Sequence, residues 1–353
     1  MASGKKVFIV GPGFIGWAVL DLLVKENYSV TGFVRRQEHA DQLTASGAAD
    51  TVLGDLNDTA LITKHALSHD VVIHTATADH LPSVEAILEA VQQRAEKGLS
   101  TIFIHTSGTS LLDDGAVGAY KGDKVFRDDA PAEINALPDT APHRRIDLAI
   151  VGAQKQLGDK AKIAIMIPPT IYGYNPRHGR LSIQVPVLTR YALKHGYAGH
   201  VGAGRAVESN VHVNDLARGY VALLHHLEAS PSNSPSVLDN PYYFCESTGD
   251  DEPSWRDVAA LIGAELHKAG LIADPEPRTI PPENYGDLFG SGTLSNLGLN
   301  SRSRAVRLRA LGWRPVEKSL AESFVQDELP VILKEGGGRD WKALDGYHKA
   351  VSS

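Results

Sequence analysis

Cysteine occurs once among the 353 residues, at Cys245, which excludes an internal disulfide framework and leaves too little thiol for a zinc–cysteine site. Within "YYFCES" this lone thiol reads as a buried strand residue rather than a nucleophile. Long apolar runs are missing too. "IAIMIPP" and "VALL" fall far short of the roughly 20 residues that span a bilayer, and "MASGKK" leads into a strand without an apolar signal stretch. A cytoplasmic location and no membrane partner are therefore expected. Positive charge is not in excess: the net charge of −7 gives no broad attraction to nucleic acid, and "RSRAVRLR" reads as a solvated helix face. No HExxH or other close ligand spacing occurs, so no metal is expected, and His74, His105 and His212 read as strand residues. His225 and His226 end a helical pattern and are expected to meet its carbonyl end. There is no internal repeat. With 42% hydrophobic residues the chain can bury a sizeable core in one large or two intimately joined domains.

What is present is an alternation. The short β-rich runs "KVFIV", "SVTGFV", "DTVLG", "DVVIHTA", "TIFIHTS" and "KIAIMI" are separated by helical patterns such as "WAVLDLLVKE" and "LPSVEAILEAVQQRAEKG". Each parallel connection must cross over, so this pattern predicts an α/β fold, a doubly wound parallel sheet of the Rossmann type, with ligands beyond the carboxyl ends of the strands. After "TIYGYNP" the alternation loosens. Residues 1–173 and 206–229 are expected to form the dinucleotide-binding domain. Residues 174–205 and 230–353 are expected to form a smaller, discontinuous substrate-binding lobe.

"KVFIVGPGFIG" places Gly11, Gly13 and Gly16 between a strand and an amphipathic helix, with Phe14 and Ile15 inside the same turn. Gly11 permits the tight turn, Gly13 lets the backbone approach a pyrophosphate, Gly16 lets helix pack on strand, and the phosphates meet the positive helix end. An acidic residue about 20 positions on would bind a ribose 2′-hydroxyl; Arg35 stands there instead, followed by Arg36, and offers charge to a 2′-phosphate. NADP is thus expected in preference to NAD. Asp55 and Leu56, after the third strand, are expected beside the adenine. Thr75, Ala76 and Thr77, after the fourth, are small enough to leave the cofactor room.

These motifs resemble the extended short-chain dehydrogenase/reductase superfamily, the branch of nucleotide-sugar epimerases and dihydroflavonol-type reductases. "GPGFIG" resembles its glycine motif, "TSGTS" its serine region, "PPTIYG" (168–173) its proline-tyrosine-glycine motif, "NVHVNDLARGYVALL" its histidine-valine-aspartate strand and helix, and "LGWRPVEKSLAES" its C-terminal tail. The resemblance covers nearly the whole chain. It implies a bound nicotinamide cofactor, with Pro168 beside it. At the family's tyrosine and lysine positions, however, stand His143 and Asp147 in "HRRIDLAIVGAQKQ". A literal YxxxK, Tyr120 and Lys124, is followed by loop-rich sequence rather than a helix and reads as a decoy. The family's serine corresponds to Gly108, leaving Ser107 and Thr109 as neighbouring hydroxyls.

A histidine can deliver a proton to a developing alkoxide, and a carboxylate one helical turn away would favour the imidazolium and fix the ring. His143 is therefore the candidate proton donor, Asp147 its expected partner, and Ser107 or Thr109 the candidate polarising hydroxyl. The missing lysine also leaves the nicotinamide ribose without its usual cation, a role open to Arg144 or Arg145. Sugar-nucleotide members of the family usually carry an arginine just before the histidine-valine-aspartate strand; here Glu208 stands near that position, and a carboxylate would repel phosphate. Tyr172, Tyr174, Arg177, His178 and Gln184 suit a neutral or weakly acidic small-molecule substrate. The expected function is an atypical NADP-dependent reductase or dehydrogenase of a small organic carbonyl or alcohol. A non-catalytic NADP-binding sensor and a redox-neutral lyase, isomerase or epimerase are the alternatives. A second copy of the chain in a homodimer is left open as a partner.

Overall fold

The computed structural model of the protein describes residues 4–335. Seven parallel strands form the central sheet, in the spatial order Tyr242–Phe244, Lys162–Ile167, Ile102–Thr106, Val71–His74, Lys6–Val10, Ser29–Val34, Asp50–Leu53. The six β-rich runs read from the sequence are all strands of this sheet. Helices cover both faces, so the inner strands carry almost unbroken apolar runs; Val7, Phe8, Ile9 and Val10 have no exposed surface. The chain builds outward from Lys6–Val10 to Ser29–Val34 and Asp50–Leu53, then crosses back to Val71–His74 on the other side. That reversal opens a crevice at the carboxyl ends of the two adjoining strands.

The seventh strand corrects the expected division of the chain. Tyr242–Phe244 falls in the segment 230–353 assigned to the lobe, yet it pairs with Lys162–Ile167 in the central sheet, and Val237, Cys245, Ala305, Leu308 and Trp313 join the main core. A three-residue apolar run carries too little periodicity to be assigned a sheet; its partner strand decides that. The lobe has its own smaller core, in which Tyr191 and Leu188 of helix Gln184–His195 meet Trp255, Ile262 and Leu266 of helix Trp255–Lys268, together with Phe324. The part of the lobe assignment after residue 335 lies outside the described residues. Among the described residues no helix is long and apolar enough to cross a membrane.

"RSRAVRLR" is not a solvated helix face. Arg302 and Arg304 both pair with Glu252, at 2.8 and 2.7 Å. Arg307 stacks 3.8 Å from the Tyr243 ring and donates to the carbonyls of Asn240 and Tyr242, each at 2.7 Å. The basic run is thus turned inward, tying the C-terminal segment to the seventh strand. His225 likewise bonds Glu26 at 2.7 Å rather than its own helix end. Replacing Arg307 by Met should lower stability by about 3 kcal/mol or more, because at least two charge-assisted hydrogen bonds and a cation–π contact are lost together. Urea denaturation measures this. A change within about 0.5 kcal/mol, as at an ordinary surface position, would restore the solvated-face reading.

Candidate functional site

The crevice is a cleft of about 740 Å³. Gly11 turns at φ +74°, and a Cβ there would lie 2.3 Å from the Cβ of Ala76 and 2.5 Å from its Cα, so backbone meets backbone. Gly16 is equally constrained: a Cβ would reach 2.3 Å from Thr75 Oγ1, which donates to the Gly11 carbonyl at 3.0 Å. Gly13 differs: a Cβ there would meet only the Gly11 carbonyl, at an ordinary 3.9 Å. It caps helix Phe14–Lys25 without any side-chain hydrogen bond, leaving the helix-end amides to face the cleft. A turn that only glycine fits at residue 11 and an unblocked helix N-terminus fit a dinucleotide pyrophosphate.

Gly11, Gly13, Phe14, Ile15, Arg35, Arg36, Asp55, Leu56, Thr75, Ala76 and Thr77 all line the cleft. Gln184, expected to contact substrate, lines it too. Pro168 does not. It is buried, its carbonyl accepts the Thr109 amide at 3.0 Å, and the next residue, Pro169, reaches the cleft. His39, Asn57, His80 and Arg180 also line the cleft and were not anticipated, because no motif spacing marks them.

The remaining residues expected at a substrate are spent on the fold. Tyr172 is 2% exposed and donates to the Lys318 carbonyl at 2.8 Å; burial pushes its phenol up to about 12. Tyr174 packs against the lobe core. Arg177 and His178 both grip Asp21 at 2.8 Å, and the His178 ring stacks 4.3 Å from Trp17. They hold the lobe to the first helix.

The proton-transfer candidates are rearranged. His143 stands just ahead of helix Arg144–Leu157, at φ 63°, in the left-handed region that non-glycine residues rarely occupy. The carboxyl of its expected partner, Asp147, does not meet the ring; the two residues join only through the Asp147 amide, which donates to the His143 carbonyl at 3.2 Å. His143 Nδ1 instead meets Asp79 Oδ1 at 2.7 Å, and Nε2 meets Ser110 Oγ at 2.7 Å. Because the helix starts after His143, the ring lies off the face that an i, i+4 spacing would give it. Asp147 points into the protein, fully buried, and accepts the Ser107 hydroxyl at 3.0 Å. Burial pushes its carboxyl up to about 7, against the pull of Ser107 and His143. Thr109 is buried as well. Gly108 explains the missing serine: a Cβ there would come within 3.2 Å of His143 Nε2. The hydroxyl near the ring is therefore Ser110, presented by the turn Thr109–Leu112; the doubled serine of "TSGTS" was the available signal.

Neither candidate cation replaces the lysine. Arg144 is buried and donates to the Tyr242 hydroxyl at 3.0 Å, while Arg145 is exposed on the outer face of its helix. Glu208 accepts Thr170 Oγ1 at 2.8 Å and Trp255 Nε1 at 3.0 Å, and burial pushes it up to about 8. Tyr120 is 46% exposed in a segment without helix and bonds the Asp114 carbonyl; Lys124 pairs with Glu133. The strand histidines are packed in: His74 and His105 stack 5.1 Å apart with no exposed surface, and burial lowers both, His74 to about 4.

Asp147 gives a test of this rearrangement. In the folded protein its carboxyl keeps a proton up to about 7, whereas an ordinary aspartate releases it near 3.8. The folded state thus binds more protons than the unfolded state between those values, and stability is lost as pH rises through that window. Relative to wild type, Asp147→Asn should gain melting temperature progressively from pH 4 to pH 7 and level off above. A difference that does not change with pH would show that Asp147 is not held in this buried setting.

Residues 11–128 match the family described as NAD(P)H-binding. An oxidase of Acremonium, ucsJ, is 29% identical over 352 residues, spanning 94% of this chain and 97% of its own. Among solved structures, yeast methylglyoxal/isovaleraldehyde reductase Gre2, complexed with NADPH, superposes with a TM-score of 0.60 at 19% identity, over 94% of this chain and 99% of its own. The dTDP-glucose 4,6-dehydratase of Bacillus anthracis, in complex with NAD, gives 0.66 at 14% identity, over 96% and 98%. Residues 11–128 thus match an NAD(P)H-binding family, and the chain as a whole shares its fold with these reductase and dehydratase structures.

Proposed function

We propose that the protein is an NADP-dependent reductase or dehydrogenase of a small, uncharged organic carbonyl or alcohol. The observation that carries this reading is the Ser110–His143–Asp79 chain of two 2.7 Å contacts, set at the carboxyl edge of the sheet beside the dinucleotide cleft. Thr77 and His80, on either side of Asp79, line that cleft. The bound nicotinamide would exchange a hydride with the substrate carbon. The chain's own residues then handle the proton. Both His143 nitrogens are engaged, so the ring acts through Ser110 rather than directly: Ser110 Oγ gives its proton to the alkoxide oxygen and recovers one from His143 Nε2, while Asp79 holds Nδ1–H and fixes the ring. The bond to His143 lowers the Asp79 carboxyl from its ordinary value against the opposing effect of burial, which favours the anion. In the oxidative direction the same steps run backward.

Two features support an uncharged substrate. Glu208 has no cation partner among the described residues and sits near the position where sugar-nucleotide enzymes usually carry an arginine. Gre2 is a reductase of small aldehydes that binds NADPH. The ucsJ relative is named an oxidase, which agrees with redox chemistry on this fold. A cofactor-binding protein without turnover is the second reading, favoured by the replacement of both the tyrosine and the lysine.

Binding titrations should show NADPH held about ten- to hundredfold more tightly than NADH, a preference that Arg35→Ala reduces. Equal affinities in the wild type would remove the NADP assignment. With a panel of small aldehydes and ketones, His143→Phe and Ser110→Ala should each cut turnover by about 10²- to 10⁴-fold with NADPH affinity nearly intact, whereas Tyr120→Phe should change little. Normal turnover in His143→Phe would overturn the proton path. Tight NADPH binding with no turnover on any carbonyl would favour the second reading.

A further inference from the structure

Arg180 is not accounted for by the glycine motif or by the arginines that follow the second strand. It belongs to the lobe, in a short hairpin where Tyr174–Asn175 pairs antiparallel with Arg180–Leu181, yet its side chain lines the cofactor cleft. The hairpin is fastened to the first helix by Arg177 and His178 on Asp21. Trp17 of that helix holds His178 on one side, and the Arg180 guanidinium lies 4.7 Å from its ring. Arg180 is thereby placed at the end of the cleft lined by Arg35, Arg36 and His39.

The local electrostatics are unbalanced. Arg36 Nη2 lies 3.0 Å from His39 Nε2, and Arg180 Nη2 lies 3.4 Å from the same nitrogen. That nitrogen has one lone pair, and two guanidinium groups converge on it. Arg180 Nε is buried with no hydrogen-bond partner. Among the described residues no carboxylate is within ion-pair distance of Arg35 or Arg180, although the adjacent Arg177 has Asp21. Burial and then Arg36 lower the Arg180 guanidinium; burial, Arg36 and Arg180 lower His39, with only exposed Glu38 pulling the other way. Three cations from two parts of the fold converge where the second strand ends, the end of the crevice that receives the adenosine ribose in a doubly wound sheet.

We propose that Arg180 is a lobe-borne clamp for the 2′-phosphate of NADP(H), completing with Arg35, Arg36 and His39 a site that the dinucleotide-binding domain alone does not form. This rests on the NADP reading above and deepens it. A phosphomonoester near pH 7 carries close to two negative charges and three acceptor oxygens, enough to separate the guanidinium groups from the single imidazole nitrogen and to take the unpartnered Nε–H. NAD offers only a neutral hydroxyl there. Stacking on Trp17 holds the guanidinium plane in place before the ligand arrives, which lowers the ordering cost of each bond. The clamp also makes cofactor choice depend on the lobe hairpin being docked.

The test is a set of binding titrations on the full chain with NADPH, NADH and adenosine 2′,5′-bisphosphate, using wild type, Arg180→Met and Arg180→Lys. Arg180→Met should weaken NADPH and the bisphosphate by about tenfold or more while NADH changes by less than about twofold. Arg180→Lys should fall between the two, since it keeps the charge and loses the planar fork. Melting in the absence of ligand checks that the variants fold. If Arg180→Met does not fold, the comparison of wild type with Arg180→Lys decides the matter by the same ratio. A wild type without NADPH preference overturns the NADP reading itself. A wild type that prefers NADPH, with variants that keep its NADPH-to-NADH ratio or lose both affinities equally, overturns the Arg180 clamp and leaves the NADP reading standing.

Discussion

The approach of Gly11 to Ala76 is the contact on which the rest of the site depends. At the reversal between Lys6–Val10 and Val71–His74, the first turn and the chain after the fourth strand come so close that a Cβ on residue 11 would sit 2.3 Å from that of Ala76. Only glycine combines that proximity with φ +74°. The Thr75 hydroxyl bonds the Gly11 carbonyl and occupies the space that a side chain at Gly16 would need, so helix Phe14–Lys25 seats on the sheet with its amino end over the cleft. Trp17, on that helix, in turn carries His178 and faces Arg180. One tight backbone crossing thus sets the phosphate cradle, the helix end and the surface on which the lobe docks.

Beyond the cleft, exchanging the tyrosine for a histidine redistributes the neighbouring groups. An imidazole at the left-handed position 143 lies over Gly108, and the hydroxyl that meets the ring is that of Ser110, further along the turn. Asp79, from the fourth strand's loop, becomes the anchor of the ring. Asp147, one turn into the helix, withdraws into the core and pairs with Ser107. A buried acid that keeps its proton near neutrality costs less than a buried charge would, which is how it is tolerated without a cation.

Polar tethers add to the apolar packing of Leu181 and Tyr174 in fastening the lobe hairpin. Asp21 takes both Arg177 and His178, and Glu328, fully buried, accepts the Gly173 amide and the Ser182 hydroxyl. Such bonds are directional. They set where the hairpin sits above the first helix, and so where Arg180 enters the cleft.

Much of this was legible in the chain. Six of the seven sheet strands could be read from short apolar runs alternating with amphipathic segments. That Gly11, Arg35 and Ala76 line one cleft followed from glycine spacing and strand ends, because these depend on backbone geometry within a few residues. Tyr242–Phe244 is too short to carry a usable period, and charge alone does not say which way the basic run "RSRAVRLR" turns. Tyr172, Arg177 and His178 were expected at a ligand and serve the fold instead. The sequence by itself determined the doubly wound sheet, the glycine cradle and the displacement of the tyrosine and lysine, all properties of local pattern. Only the tertiary structure decided that His143 faces Asp79 and Ser110 rather than Asp147, and that Arg180 reaches the cleft. Those contacts join residues 33 to 141 positions apart, and one backbone angle at residue 143 sends the ring to one partner rather than another.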